Sequence, residues 1–168
     1  MVLSQNVWVH YGQLYLASGP EMPSAELEEC FAGQRNGLCG AAARGFLFLI
    51  TGLHTGEVGF SVELGDQAPP VDGRWQEIVE VSFQPVGDVS LVGWAGEWSQ
   101  SLDIPPVGYR VRYSATGMDE GHALDTRMDG DPAADRYLLQ LWPAPPQPDR
   151  VIKQSSQIAA YWHQTAQQ

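Results

Sequence analysis

Between Trp75 and Gly117 apolar and polar residues alternate with a period of two. Ile78, Val79, Val81 and Phe83 sit among Glu77, Glu80 and Ser82; Val89, Leu91 and Val92 follow, then Leu102 and Ile104. Tyr109, Val111 and Tyr113 alternate strictly with Arg110 and Arg112. This period sends successive side chains to opposite faces of a strand, so that one face can be buried while the other stays wet. The breaks, Gln84 to Asp88 and Pro105 to Gly108, carry the proline, glycine and aspartate of tight turns. The stretch predicts three or four consecutive antiparallel strands. The whole chain reads as all-β, an antiparallel β-sandwich of about eight strands.

The same reading extends in both directions. Asn6 to Ala17 predicts a first strand, with a bulge where Gly12 offsets the alternation. Ser24 predicts the N-cap of a short helix near 24–32, with Leu27, Cys30 and Phe31 on its buried side and Gly33 as its stop. The small residues of Gly37 to Ala43 imply close approach to another backbone. Phe46 to Ile50 is apolar on both faces, as expected of a central strand, and 46–64 reads as a hairpin. Met118 to Arg136 is the longest irregular segment. Tyr137 to Trp142 is the last strand, and a second helix is expected near 152–165, with Val151, Ser155, Ile158 and Trp162 on one stripe. No repeat or linker divides the chain, so 1–168 reads as a single domain.

Composition narrows the function. The chain has 20 acidic and 9 basic residues, a net charge of −11. Nucleic-acid and anionic-membrane binding require clustered Lys and Arg, so neither is expected. A large negative field favours solubility and encounter with a basic partner. No apolar run reaches the roughly 18 residues of a membrane span. The N-terminal MVLSQNVWVHYG has no charged region followed by an apolar one, which predicts a cytoplasmic protein. Cys30 and Cys39 are expected to be reduced and packed rather than paired.

The catalytic signatures are missing. There is no GxSxG, no phosphate-binding glycine loop and no Cys/His spacing for zinc, and His10, His54, His122 and His163 show no ligand pattern. The reading is therefore of a non-catalytic protein with no cofactor. Two features remain as binding candidates. The first is the acid-rich segment bearing Asp119, Glu120, Asp125, Asp129, Asp131 and Asp135. Its spacing departs from an EF-hand loop, so a solvated acidic loop is weighed above a calcium site. The second is the Trp94–Trp98 segment, which reads either as an aromatic ligand platform or as packing over the end of the core.

Four elements occur in order: Tyr11-Gly12-Gln13-Leu14-Tyr15, Val81-Ser82-Phe83, Leu102 to Tyr109 (L-D-I-P-P-V-G-Y), and the acidic loop leading into Asp135-Arg136-Tyr137-Leu138-Leu139. In that order they resemble the ComJ/Nin-like nuclease-inhibitor proteins of bacteria. Together they span roughly 11–141, and Pro143 to Gln168 lies beyond the likeness. The resemblance implies a sandwich fold and an inhibitor of a basic, nuclease-like protein, with the acids standing where DNA phosphates would sit. The partner-binding residues expected are the six acids named above with Trp94 and Trp98. The alternative is a sandwich that binds a small ligand or carbohydrate through the tryptophans.

Overall fold

The structure is a computed structural model describing residues 1–168. In chain order its strands are β1 (Leu3–Val9), β2 (Gln13–Ser18), β3 (Cys39–Gly40), β4 (Phe46–Ile50), β5 (Gly56–Leu64), β6 (Glu77–Phe83), β7 (Val89–Gly93), β8 (Ser99–Leu102), β9 (Tyr109–Thr116), β10 (Arg136–Pro143) and β11 (Arg150–Lys153). Three short helices accompany them: α1 (Leu27–Cys30), α2 (Met118–Leu124) and α3 (Gln157–Ala166). One sheet has six strands in the order β1-β5-β10-β9-β6-β11, and the other has five in the order β3-β4-β2-β7-β8. Both sheets contribute to one apolar cluster, which includes Leu14, Leu16, Leu49 and Leu91 from the smaller sheet and Val58, Phe60, Val81, Val111 and Leu139 from the larger.

The alternation works as the period of two requires. In β5, Val58, Phe60 and Val62 are buried while Glu57 is exposed. Strand β9 is buried on both faces for two different reasons. Tyr109, Val111, Tyr113 and Ala115 belong to the core, whereas Arg110 and Arg112 are covered on the opposite face. Their shared counterion is Glu80: Arg112 Nε donates to Glu80 Oε1 at 3.0 Å, and Arg110 Nε lies 3.5 Å from Glu80 Oε2. The remaining guanidinium donors take the carbonyls of Pro69, Gln147 and Pro148. Each buried cation is thus paired and hydrogen-bonded, the condition for tolerating charge away from water. The two arginines hold two proline-bearing loops, at Pro69–Pro70 and Gln147–Pro148, against that one face of the sheet.

Several elements differ from the sequence reading, each for a definable reason. There are eleven strands rather than about eight, and β10 runs parallel to β5, so the larger sheet is mixed rather than purely antiparallel. The expected first strand is two strands in different sheets, separated by Tyr11 and Gly12 at φ 56° and 62°. Two consecutive left-handed residues are what a two-residue hairpin turn demands. Residues 46–64 are not a hairpin, since β4 and β5 lie in different sheets. The run from Trp75 to Gly117 also changes sheet: β6 pairs with β9 and β7 with β8. Alternation identifies a buried face but not the neighbouring strand.

The helices shift as well. α1 starts after Glu26, not Ser24, because Glu26 and Glu29 form a reciprocal capping box. Part of the irregular acidic segment is α2. Val151 lies in β11, and α3 begins after Ser156, whose hydroxyl accepts the Ala159 N–H. The small residues at 37–43 do permit close approach, since a Cβ on Gly37 would stand 1.9 Å from the Trp162 carbonyl oxygen and one on Gly40 2.8 Å from that of Cys30. Cys30 and Cys39 are both free and buried.

Candidate functional site

The β1–β2 turn lifts Tyr11 out of the fold and leaves it 50% exposed. Its ring stacks on His10, with centroids 4.6 Å apart and planes at 10°. It also meets Trp94 at 4.7 Å and the edge of His54 at 5.1 Å. His10 in turn packs against Trp94 at 5.1 Å, and its Nδ1 lies 2.9 Å from Glu97 Oε1. Four rings from three separate segments therefore form one surface plate, edged by an exposed carboxylate.

Backbone strain gathers around this plate. Tyr11, Ala95 and Asp125 are the three non-glycine residues with left-handed φ, at 56°, 53° and 63°. Tyr11 carries the central ring, Ala95 follows Trp94, and the Asp125 carbonyl accepts the N–H groups of both His54 and Thr55 at 3.0 Å. Non-glycine residues in this region cost on the order of 1–2 kcal/mol, and such strain concentrates where geometry serves function. The one cation of the neighbouring loop, Arg127, is held internally by the carbonyls of Glu57 and Asp131. Glu97 and Asp125 stay exposed.

A buried network holds the loop that supplies His54. Asp135 is 3% exposed; its Oδ2 accepts the Leu53 N–H at 2.9 Å and the hydroxyl of Tyr137, and that hydroxyl accepts the Gly52 N–H at 2.7 Å. Burial pushes the Asp135 carboxyl above its ordinary pKa, against the pull of these hydrogen bonds. Its Oδ1 has no partner.

The eight residues expected to bind a partner thus separate. Trp94 belongs to the plate. Trp98 does not join it: its indole N–H donates to the Trp8 carbonyl at 2.9 Å, and its ring lies over Gly93, where a Cβ would meet it at 2.4 Å. Asp125 adjoins the plate through its carbonyl, while Glu120 and Asp129 are exposed beside it in sequence. Asp131 Oδ2 is engaged by the Met128 N–H. Asp119 accepts the N–H groups of Gln157 and Ile158 and so caps the N-terminus of α3. Asp135 must be withdrawn from the surface set, because it lies in the core. The acids do not converge: no group of three or more acidic, His or Cys side chains is arranged to hold a metal ion.

His10, Tyr11, His54 and Glu97 join the site without being among the residues that the sequence pattern selects. The signal present in the sequence was the Tyr-Gly pair between two alternating runs, which marks a hairpin turn as well as a bulge. Nothing in the sequence announces the arrival of His54 and Trp94 beside that turn. Trp94 also lines an apolar groove of about 350 Å³ together with Tyr15, Met22, Pro23, Phe46 and Phe48.

No family model matches the chain, and no curated protein sequence matches it. Two solved structures resemble its fold. ComJ from Bacillus subtilis, described as an inhibitor of the DNA degrading activity of NucA, superposes with a TM-score of 0.59 at 15% identity, over 86% of this chain and 99% of ComJ. A protein described as crocagin biosynthetic gene J gives a TM-score of 0.53 at 13% identity, over 86% of this chain and 98% of its own. The likeness to ComJ holds at the level of fold and does not by itself establish membership of its family.

Proposed function

We propose that the chain is a non-catalytic binding protein that docks its aromatic plate on a basic protein and inhibits it, the partner being a DNA-degrading nuclease. The observation that carries this reading is the convergence of Tyr11, His10 and Trp94 with the Glu97 carboxylate, beside a strained segment whose Asp125 carbonyl holds His54. Exposed Tyr and Trp are the side chains that most often anchor protein interfaces, and carboxylates around them select a positive partner. The net charge of −11 acts in the same direction by accelerating encounter. The ComJ-like fold supports the inhibitor class, since ComJ inhibits a nuclease.

The carbohydrate or small-ligand alternative draws less support. It needs Trp94 and Trp98 on one platform, and Trp98 is engaged with Trp8 and Gly93 instead.

The test is dose-dependent inhibition of DNA degradation by a panel of purified basic nucleases, NucA among them. Inhibition of at least one by the wild type, weakened at least tenfold by Tyr11→Ala and by Trp94→Ala, is the expected result. Each substitution removes an anchor ring of the plate, half exposed in Tyr11 and less exposed in Trp94, worth on the order of 2 kcal/mol. Equal inhibition by wild type and both variants would show that the plate is not the docking surface.

A further inference from the structure

Strand β1 is an edge of the six-stranded sheet, paired on one side with β5. Its other side can be read residue by residue. Trp8 and Glu57 stand opposite each other in the ladder. The Trp8 carbonyl accepts the Trp98 indole N–H and the Glu57 carbonyl accepts Arg127 Nη1, each at 2.9 Å, so both carbonyls turn away from the seam between β1 and β5. In an antiparallel ladder such outward pairs alternate with hydrogen-bonded ones. His10, two residues on, shares the parity of Trp8 and bridges to Gln13 across the turn rather than to β5. Gln5, Val7 and Val9 therefore hold β5, while Ser4, Asn6 and Trp8 direct their backbone groups outward.

This edge lacks the usual protection. Leu3–Val9 reads LSQNVWV, with no charged residue and no proline to discourage pairing. Ser4, Gln5 and Asn6 are exposed, and Trp8 is 44% exposed. The Trp8 carbonyl is taken by Trp98; the outward N–H groups of Ser4, Asn6 and Trp8 are directed away from the sheet.

Building on the function proposed above, we propose that the basic partner lays an extended segment along β1 by strand addition, extending the six-stranded sheet. Main-chain hydrogen bonds to Ser4, Asn6 and Trp8 supply affinity, and side chains of the segment supply specificity. Charge chooses the occupant. Two copies of this chain would each bring a net charge of −11, whereas a basic segment meets complementary charge. Continuity chooses it too: β1 runs directly into His10, whose Nδ1 lies 2.9 Å from Glu97 Oε1, so an added strand leads toward the acidic end of the plate.

The probe is a short blocked peptide of alternating Val and Thr with Lys at both ends, with a Glu-ended counterpart as control, followed by amide hydrogen exchange and chemical shifts. The Lys-ended peptide is expected to slow exchange at Ser4, Asn6 and Trp8 and to bind more tightly than its counterpart. Asn6→Pro removes an outward N–H without removing a bond to β5, a position where edge strands tolerate proline. It is expected to weaken the peptide by about tenfold, one hydrogen bond plus the steric block, while Gln5 and Val7 keep their wild-type protection. Ser4→Pro serves if the first variant does not fold.

Perturbation confined to the plate, or none, overturns the proposal. Protection of the same amides that rises with protein concentration in the absence of peptide assigns the edge to a second copy and overturns it equally. Full nuclease inhibition by Asn6→Pro removes strand addition but leaves the plate reading in place; loss of effect for Tyr11→Ala removes the plate reading itself.

Discussion

Replacing Asp135 separates two roles that sequence alone confuses, a carboxylate that meets a partner and one that builds the site from beneath. Asp135→Ala strips an acceptor from the Leu53 N–H and from the Tyr137 hydroxyl, both buried. Each unsatisfied buried group costs about 1–3 kcal/mol, so the loss is expected near 3 kcal/mol. For a chain of 168 residues this lowers Tm by roughly 6–12 °C. Asp135→Asn retains an acceptor oxygen and removes the charge, and is expected to stay within about 1 kcal/mol of wild type at neutral pH.

The pH dependence has a defined sign. Burial raises the folded carboxyl above its ordinary value of 3.8, so the folded state binds the proton more tightly than the unfolded chain. The contribution of the protonated form is complete below 3.8 and is lost as pH rises through the folded pKa. In urea titrations across acidic pH, wild type should therefore lose stability relative to Asp135→Asn as pH increases through that window. A loss under about 1 kcal/mol for the alanine variant, or a relative gain for wild type with rising pH, would refute the reasoning.

Other substitutions probe the same architecture. Ala95→Gly relieves a left-handed residue that is exposed and is expected to raise stability by about 1 kcal/mol, read as an increase in denaturation midpoint. Gly37→Ala puts a methyl group into the Trp162 carbonyl and should displace α3, with lost protection of the α3 amides as the readout. His163 is 7% exposed, its Nδ1 accepts the Gly37 N–H at 2.9 Å, and burial holds its pKa below 6.5. Folded protein therefore binds fewer protons than unfolded chain, and stability should fall as pH drops from 6.5 through the folded pKa. In His163→Gln that particular decline should be missing from the stability-against-pH profile.

The sequence disclosed which residues face the core far better than which strands are neighbours. The alternation of Tyr109, Val111 and Tyr113 named a buried face correctly, and Phe46 to Ile50 is fully buried as its apolar run implied. Pairing depends on turn geometry and long-range contact, which is why β4 and β5 read as a hairpin although each joins a different sheet. The acids illustrate the same limit for the site. Asp119, Asp125 and Asp135 look alike in a polar segment, yet one caps a helix, one meets a strained turn and one is buried under Tyr137. Their roles are set by elements distant in sequence, α3 and the loop at 51–55. Trp94 was legible as an aromatic candidate, but its companions Tyr11 and His54 are brought to it only by folding.

The central claim, that the aromatic plate is the docking surface, is tested most directly by an amide-exchange footprint of the chain with whichever basic nuclease of the panel binds it. Slowed exchange centred on residues 10–12, 53–55 and 93–97 is the predicted result. Protection centred instead on the α1–α3 side, with those three segments unchanged, would contradict it.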